Sequence, residues 1–291
     1  SMLVADLGVP LGASSCISCG TCVQVCPTGA LIDRWSAYHG RETQVERTAT
    51  TCIGCSVGCG IEVLTRDNNL VRIEGDWNAV LNEGVLCKTG RFIPVIDERE
   101  RLMTPLVKKD GSLKVTTWDE AMNLVAEKLK PLTGKGDAGI AAMSSSRLPI
   151  EALFTFKQLF RDQLKANLVT SLDTGEYTRA SARVAEEIKK SFEGKLTDLE
   201  NADCVVSFGV DLVKEHEVAG FMVKRNIPLG TKLIVVDPKA NSLDNLAELK
   251  LQPKDKMDAD YIRSISSSSD AQSKLFNELL GDSKTPVFIY G

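Results

Sequence analysis

Cys16-Ile17-Ser18-Cys19-Gly20-Thr21-Cys22-Val23-Gln24-Val25-Cys26-Pro27 sets four cysteines at the spacing C-x2-C-x2-C-x3-C-P. This is an iron–sulfur ligand spacing: three close thiolates wrap one face of a cubane, and the fourth follows before a proline. Gly20 lets the backbone turn tightly enough for its amides to approach sulfur. Zinc favours two separated pairs and four ligands in all, which this run fits poorly.

Nine cysteines occur, and Cys16, Cys19, Cys22, Cys26, Cys52, Cys55, Cys59 and Cys87 all lie within the first 87 residues. An odd count in a large chain without an export signal argues against a disulfide framework. In two-cluster ferredoxins the fourth cysteine of such a run serves the other cluster. Cys26 therefore either serves a cluster whose other ligands lie upstream in a longer protein, or closes an unusual local site. The second group reads C-x2-C-x3-C-x27-C over Cys52, Cys55, Cys59 and Cys87, interleaved by Gly54, Gly58 and Gly60. Four thiolates so spaced suit a [4Fe–4S] cluster; an all-cysteine zinc site, making this a zinc-binding module, is the alternative. Between Cys59 and Cys87, Ile61–Thr65 and Leu70–Ile73 read as a hairpin turning at 66–69, so a small β subdomain delivers the fourth ligand. Each [4Fe–4S] core with its thiolates adds about −2 to the charge. Lys88 and Arg91 follow Cys87 closely. A cation about 6 Å from one negative charge is worth about 3 kcal/mol at an effective dielectric of about 20, and would raise that cluster's potential. The alternative is that both are solvated surface charges.

The remaining two-thirds alternates strand and helix. Thr117-Trp118-Asp119-Glu120 has the form of a capping box, opening a helix that Pro131 ends. Gly139–Met143 reads as a buried strand, Pro149–Ala166 as an amphipathic helix, Leu168–Thr170 as a short strand and Thr178–Phe192 as another helix. Asp203–Gly209 and Lys232–Pro238 are the next strands, with a helix over Glu217–Arg225 between them. This order implies parallel βαβ units, whose ligands bind beyond the carboxyl ends of the strands. Those ends are Ser144–Ser146, Gly209-Val210-Asp211 and Asp237-Pro238-Lys239, with Gly209, Asp211, Asp237 and Lys239 as candidate cofactor contacts. Cys204, at the head of a buried strand, reads as core, and His39 and His216 as surface or loop residues.

The chain has 291 residues, 43% apolar and 25% charged. This composition excludes collagen, long disorder and a coiled coil. No run of 18 apolar residues occurs, so direct membrane insertion is not expected. Lys plus Arg total 35 against 39 Asp plus Glu, a net charge of −4. A mildly acidic chain without a basic run is a poor nucleic-acid binder. The opening Ser1-Met2 and the apolar ending Pro286–Gly291, read as a strand, lead us to expect a fragment of a longer protein.

The ferredoxin-type run, the second cysteine group, the Gly90-Arg91-Phe92 that follows, Arg101–Leu106 and Thr117–Ala121 together resemble the molybdopterin oxidoreductase superfamily. NAD-linked formate dehydrogenase α subunits and the large iron–sulfur subunit of respiratory complex I are the nearest look-alikes. The resemblance implies an α+β iron–sulfur region, with a ferredoxin-like segment at 1–47 and a cluster-binding β subdomain at 48–105. A truncated α/β, Rossmann-like parallel-sheet module of the molybdopterin-oxidoreductase type follows at 106–291. It implies [4Fe–4S] clusters on the eight cysteines and, in active members, a molybdopterin guanine dinucleotide against strand ends such as Gly209 and Asp237. Other redox subunits of an NAD(P)-linked complex would be the partners, in the cytoplasm or peripheral to a membrane complex.

Two residue-level departures bear on activity. Active members read C-x-K-G-R after the fourth ligand, whereas here Thr89 replaces the lysine of Cys87-Lys88-Thr89-Gly90-Arg91. No cysteine occurs in Gly175–Phe192, where formate dehydrogenases carry a Cys or selenocysteine metal ligand. Thr178, Ser181 and Arg183 cannot replace a soft thiolate. The expected function is iron–sulfur electron transfer in a multisubunit oxidoreductase, with a fragment of an active molybdopterin-dependent formate dehydrogenase as the alternative.

Overall fold

The computed structural model describes residues 16–135, 139–145, 147–171, 183, 186–187, 189, 194–253 and 259–291. After the one-turn helix α1 (Thr21–Gln24) come strands β1 (Glu46–Thr51), β2 (Gly60–Arg66) and β3 (Asn69–Gly75), an antiparallel sheet in that order. The hairpin expected between the cysteines is β2–β3. Its turn is tighter than the four residues read from sequence: Asp67 and Asn68 take it with φ of 49° and 60°, a left-handed pair that Asp and Asn tolerate. Strand β1 is exposed at all six positions, so no apolar alternation announces it. Its register and charge hold it, with Arg47 ion-paired to Glu62 and Glu74 at 2.6 and 2.9 Å. Helix α2 (Lys88–Phe92) closes this part.

Next come the hairpin β4 (Leu106–Lys109) and β5 (Ser112–Val115), helix α3 (Trp118–Leu129), strand β6 (Ala141–Ser144), helix α4 (Ile150–Lys157) and strand β7 (Leu168–Ser171). Thr117 caps α3 by accepting from the Glu120 N–H at 3.2 Å, while the Glu120 carboxylate takes the Thr116 hydroxyl. Helix α4 starts after Pro149 as expected, but passes into a π-helix over Gln158–Gln163. The β6 strand is less buried than its sequence suggests, with Met143 62% exposed. Strands β6 and β7 are parallel. Of the helix expected over Thr178–Phe192, all but residues 183, 186–187 and 189 lies outside the described residues, as does Ser146.

The last part contains β8 (Cys204–Phe208), α5 (Leu212–Glu215), α6 (Glu217–Asn226), β9 (Lys232–Val236), β10 (Leu249–Leu251), α7 (Ala259–Ser267), α8 (Ala271–Gly281) and β11 (Pro286–Tyr290). Its sheet is wholly parallel, in the order β10-β9-β8-β11. Both faces of the central strands are covered, so β8 and β9 read as near-continuous apolar runs, while the edge strands β10 and β11 alternate. Val205, Leu233 and Val235 pack with Val218, Met222 and Val223 of α6. Cys204, Val206, Ile234 and Val236 pack on the other side with Ile265 of α7 and Phe276 of α8. Each fully buried Val, Leu or Ile contributes about 1.5–3 kcal/mol. Cys204 is 1% exposed and belongs to this core. The chain forms two compact units, Ser1–Asp97 with Glu193–Gly291, and Glu98–Phe192.

Two polar residues fasten the first unit. Asn82 is fully buried, donating to Gly60 O and Val85 O at 3.0 and 2.8 Å and accepting from Gly60 N at 2.8 Å. Asn82→Ala removes all three bonds and should cost on the order of 2–4 kcal/mol, read as a lower urea midpoint. Asp203 accepts from the Ser283 hydroxyl and from the N–H groups of Lys284 and Thr285 at 2.6 and 3.1 Å, which fixes the turn into β11. These bonds, the Ser283 one first, hold its carboxyl at about 2. Because the folded value lies below the unfolded one, the stabilisation is complete above about pH 4. It is lost as pH falls toward 2. Wild type and Asp203→Asn should therefore differ in urea midpoint at pH 6 and converge as pH falls to 2.

Candidate functional site: two cysteine groups joined by one short helix

The second cysteine group surrounds a single cavity of about 200 Å³. Strand β1 runs directly into Cys52, and the Cys52 N–H donates to Cys59 O at 2.8 Å, closing the 52–59 loop just before β2. Asn82 ties the start of β2 to Val85, two residues before Cys87. Cys87 caps α2, its Sγ accepting from Gly90 N at 3.2 Å, and the Cys52 Sγ accepts from Gly54 N at 3.4 Å. Backbone amides therefore already face sulfur. The far wall is Lys214, Glu217 and Val218 of α5 and α6, and Thr89 also lines the space. Lys88 pairs with Glu217 at 3.5 Å, its backbone N–H reaching the same carboxylate at 3.2 Å. Cys59 is 6% exposed. Its pKa is pushed up to about 12, first by burial and then by Cys52, Cys55 and Cys87. The Cys59 thiol held this way resists ionisation unless a cationic group shares the cavity.

In the first group the sulfurs of Cys16, Cys19 and Cys26 have separate local partners. Cys16 Sγ accepts from Ser18 N at 3.3 Å, and the Cys19 thiol donates to Thr21 Oγ1 at 3.3 Å. Cys26 Sγ accepts from Leu31 N at 3.4 Å. That bond, with the Thr28 hydroxyl, lowers Cys26 to about 7. Gln24 of α1 pairs with the last residue of β3, donating to Gly75 O at 2.9 Å and accepting from Gly75 N at 3.1 Å. Arg91, expected beside the second group or on the surface, is 4% exposed and belongs to the first. Its Nε donates to Cys19 O at 2.7 Å and its Nη1 to Ile73 O at 3.4 Å. Gly20 has φ of 72°, and a Cβ there would lie 2.5 Å from Arg91 Cδ. The glycine is therefore required for the close approach of the guanidinium as well as for the turn. Burial pulls the Arg91 pKa down; Cys19, Glu74, Cys22 and Asp33 pull it back.

Among the described residues, no three His, Cys, Asp or Glu side chains converge as the ligands of a single metal ion would, and the four cysteines of the second group instead stand around a cavity. His39 is exposed, as expected. His216, between α5 and α6, is half-buried, and its Nδ1 has no partner among the described residues. At the strand ends, Gly209 leaves β8 with φ of 63°. Asp211 caps α5 through Lys214 N at 3.3 Å, pairs with the Lys214 ammonium at 2.7 Å and accepts from Ser242 Oγ at 2.8 Å. Burial would raise its carboxyl, but Lys214 and Ser242 outweigh burial and hold it below the usual range. Asp237 accepts from Lys239 N at 2.8 Å and from Asn241 Nδ2 at 3.0 Å, and Asn241 also reaches Val210 O at 2.9 Å. Asn241 and Ser242 join the two strand ends, a role the sequence reading missed. The only signal was two small polar residues shortly after an Asp-Pro.

Alkylation of the iron-free chain should separate these environments. Cys26 should react with iodoacetamide at a rate that rises through pH 7, where its thiolate forms, whereas Cys59 should stay unreactive to beyond pH 9. Peptide mass mapping against pH reads both.

Comparison with known proteins follows the same division. A family model described as a 4Fe-4S binding domain matches residues 10–32. One described as the molybdopterin oxidoreductase Fe4S4 domain matches 45–96, and one described as molybdopterin oxidoreductase matches 101–291. A protein of Rhizobium meliloti, named as one of the subunits of NADH-quinone oxidoreductase, is 31% identical over 247 residues, 84% of this chain and 28% of that protein. A Staphylococcus aureus protein named "Putative formate dehydrogenase" is 26% identical over 305 residues, 90% of this chain and 31% of that protein. The chain thus spans less than a third of either relative. Acetylene hydratase from Pelobacter acetylenicus shares the fold at a TM-score of 0.50 and 17% identity, over 69% of this chain and 29% of that one. The chain carries 4Fe–4S binding domains followed by an α/β domain with parallel sheets. With residues 101–291 under the oxidoreductase model, well over half its length, it belongs to the molybdopterin oxidoreductase family.

Proposed function

We propose that this chain is the electron-relay portion of a multisubunit, NAD(P)-linked oxidoreductase, passing single electrons through [4Fe–4S] clusters. The observation that carries this reading is the cavity ringed by Cys52, Cys55, Cys59 and Cys87. A zinc ion needs four sulfurs about 2.3 Å from one point. The spread of these side chains around about 200 Å³ suits the larger cubane better. When bound, such a cluster supplies a one-electron carrier. The chain's own part is to bring the four thiols together, aim the Gly54 and Gly90 amides at sulfur, and exclude water with Val218 and Leu86. Cys16, Cys19, Cys22 and Cys26 hold the ferredoxin-type chemistry, with Cys26 serving this cluster or a neighbouring one.

The functional segments are then 1–47, 48–105 and 106–291. The last carries a Rossmann-like sheet whose order reverses between β8 and β11, a place where such sheets bind ligands. A pterin guanine dinucleotide would rest across the carboxyl ends of β8 and β9, on Gly209, Asp211, Asp237 and Lys239. The two carboxylates are already engaged by Ser242 and Asn241, so they shape the loop, while the exposed Lys239 offers its ammonium to a phosphate. Among the described residues no helix is long and apolar enough to cross a membrane. We place the chain in a reducing cytoplasm, docked on other redox subunits.

Cys59→Ala in the anaerobically prepared full-length protein should lose about four irons and about four acid-labile sulfides, with the matching reduced-state EPR signal. Undiminished iron and sulfide would falsify the assignment of the second group. Formate-dependent dye reduction by the molybdate- and pterin-supplied protein would favour the formate dehydrogenase reading over the relay.

A further inference from the structure

Arg91 is a buried ionised side chain that the relay reading leaves without a task. Its Nη2 is buried and has no hydrogen-bond partner among the described residues. An orphaned donor on a buried cation is costly unless something anionic meets it. Glu74 and Asp33 act on it through space, but neither bonds Nη2: Glu74 is held by Arg47 and Arg72 at 2.9 and 2.7 Å, and Asp33 accepts from Trp35 N at 3.1 Å. Arg91 does not line the cavity of the second group, although Cys87 and Gly90 do. It lines a cleft beneath the first run, together with Cys26. Its backbone N–H donates to Cys87 O at 3.1 Å, so α2 carries Cys87 at one end and Arg91 at the other. Gly20, inside the first run, leaves the room the side chain occupies.

We propose that Arg91 is a positioning and charge-compensating residue of the first cluster. Rooted in the second group through Cys87, its guanidinium donates from Nη2 to the sulfur shell that Cys19 and Cys22 hold. The cation stabilises the more negative, reduced form and so raises that cluster's potential above what the thiolates alone would set. An electron arriving at the second cluster is thereby drawn toward the first. The proposal rests on the iron–sulfur reading of both groups.

The test is an EPR-monitored redox titration of the anaerobic full-length protein, with signals assigned by Cys22→Ser and Cys55→Ser. Arg91→Gln should shift the first cluster's midpoint to more negative potential. At a fixed potential near the wild-type midpoint, its reduced-to-oxidised ratio should fall about tenfold, which is ~59 mV for a one-electron couple. The second cluster's midpoint should stay in place, and Arg91→Lys should fall between. Protein grown with 15N-arginine should show a nitrogen hyperfine coupling on the first signal that Arg91→Lys abolishes. That measurement on wild type decides the matter if Arg91→Gln cannot retain iron. Unmoved midpoints, a larger shift at the second cluster, or no coupling overturns the proposal while leaving the relay reading standing. Protein lacking acid-labile sulfide at both groups overturns both.

Discussion

Four thiols drawn around one small cavity repel one another as soon as they ionise, and the surrounding structure has to hold them there regardless. Cys59 shows the strain most clearly, with its proton held by burial and by its three neighbours. No single element could supply this positioning. The 52–59 loop is closed by its own backbone bond, and the 76–87 segment is pinned to β2 by Asn82. Helix α2 takes Cys87 as its cap. The open side is filled by α5 and α6, whose other residues form the core against the parallel sheet. Cys59 lies in the same apolar cluster as Val205, Met222 and Leu233. The thiol site and the sheet are therefore one packed body, and a change in either reaches the other through side chains in contact.

What the sequence discloses follows the strength of the physical pattern. Strands β8 and β9 are legible because a sheet covered on both faces needs apolar runs rich in Val, Ile and Leu, whereas the half-exposed edge strand β11 is legible from its β-branched and aromatic residues. The hairpin β2–β3 is legible from its turn chemistry. Strand β1 is not, since Glu46-Arg47-Thr48-Ala49-Thr50-Thr51 buries nothing and is held by ladder bonds and cross-strand ion pairs. Helix α4 begins where Pro149 predicts, but no residue type marks its change to π geometry at Gln158.

The cysteine spacings disclose the candidate ligands but not the residues that support them. Asn82 and Asn241 are ordinary loop residues in sequence; only their burial shows that each satisfies backbone groups that water cannot reach. Arg91 illustrates a different limit. Nearness in sequence suggests that it serves the group ending in Cys87. Cys87 is the extended N-cap of α2 and Arg91 lies in its last turn, and the long side chain carries the guanidinium away from Cys87 to Cys19 O and Ile73 O. In a helix this short, that is enough to place the guanidinium against the neighbouring cysteine run.

The same sharing of residues governs the strand end. Asp211 is at once the exit of β8, the cap of α5 and the acceptor for Ser242. Its partner Lys214 lines the thiol cavity. One carboxylate thus couples the loop after β9 to the helix that walls in the four sulfurs. Neutralising Asp211 would release Lys214 and loosen Ser242 together. The charge facing the cavity and the shape of the strand-end crevice would then change as a unit. The link between the strand end and the thiol cavity is thus a single turn of helix rather than a long path through the core.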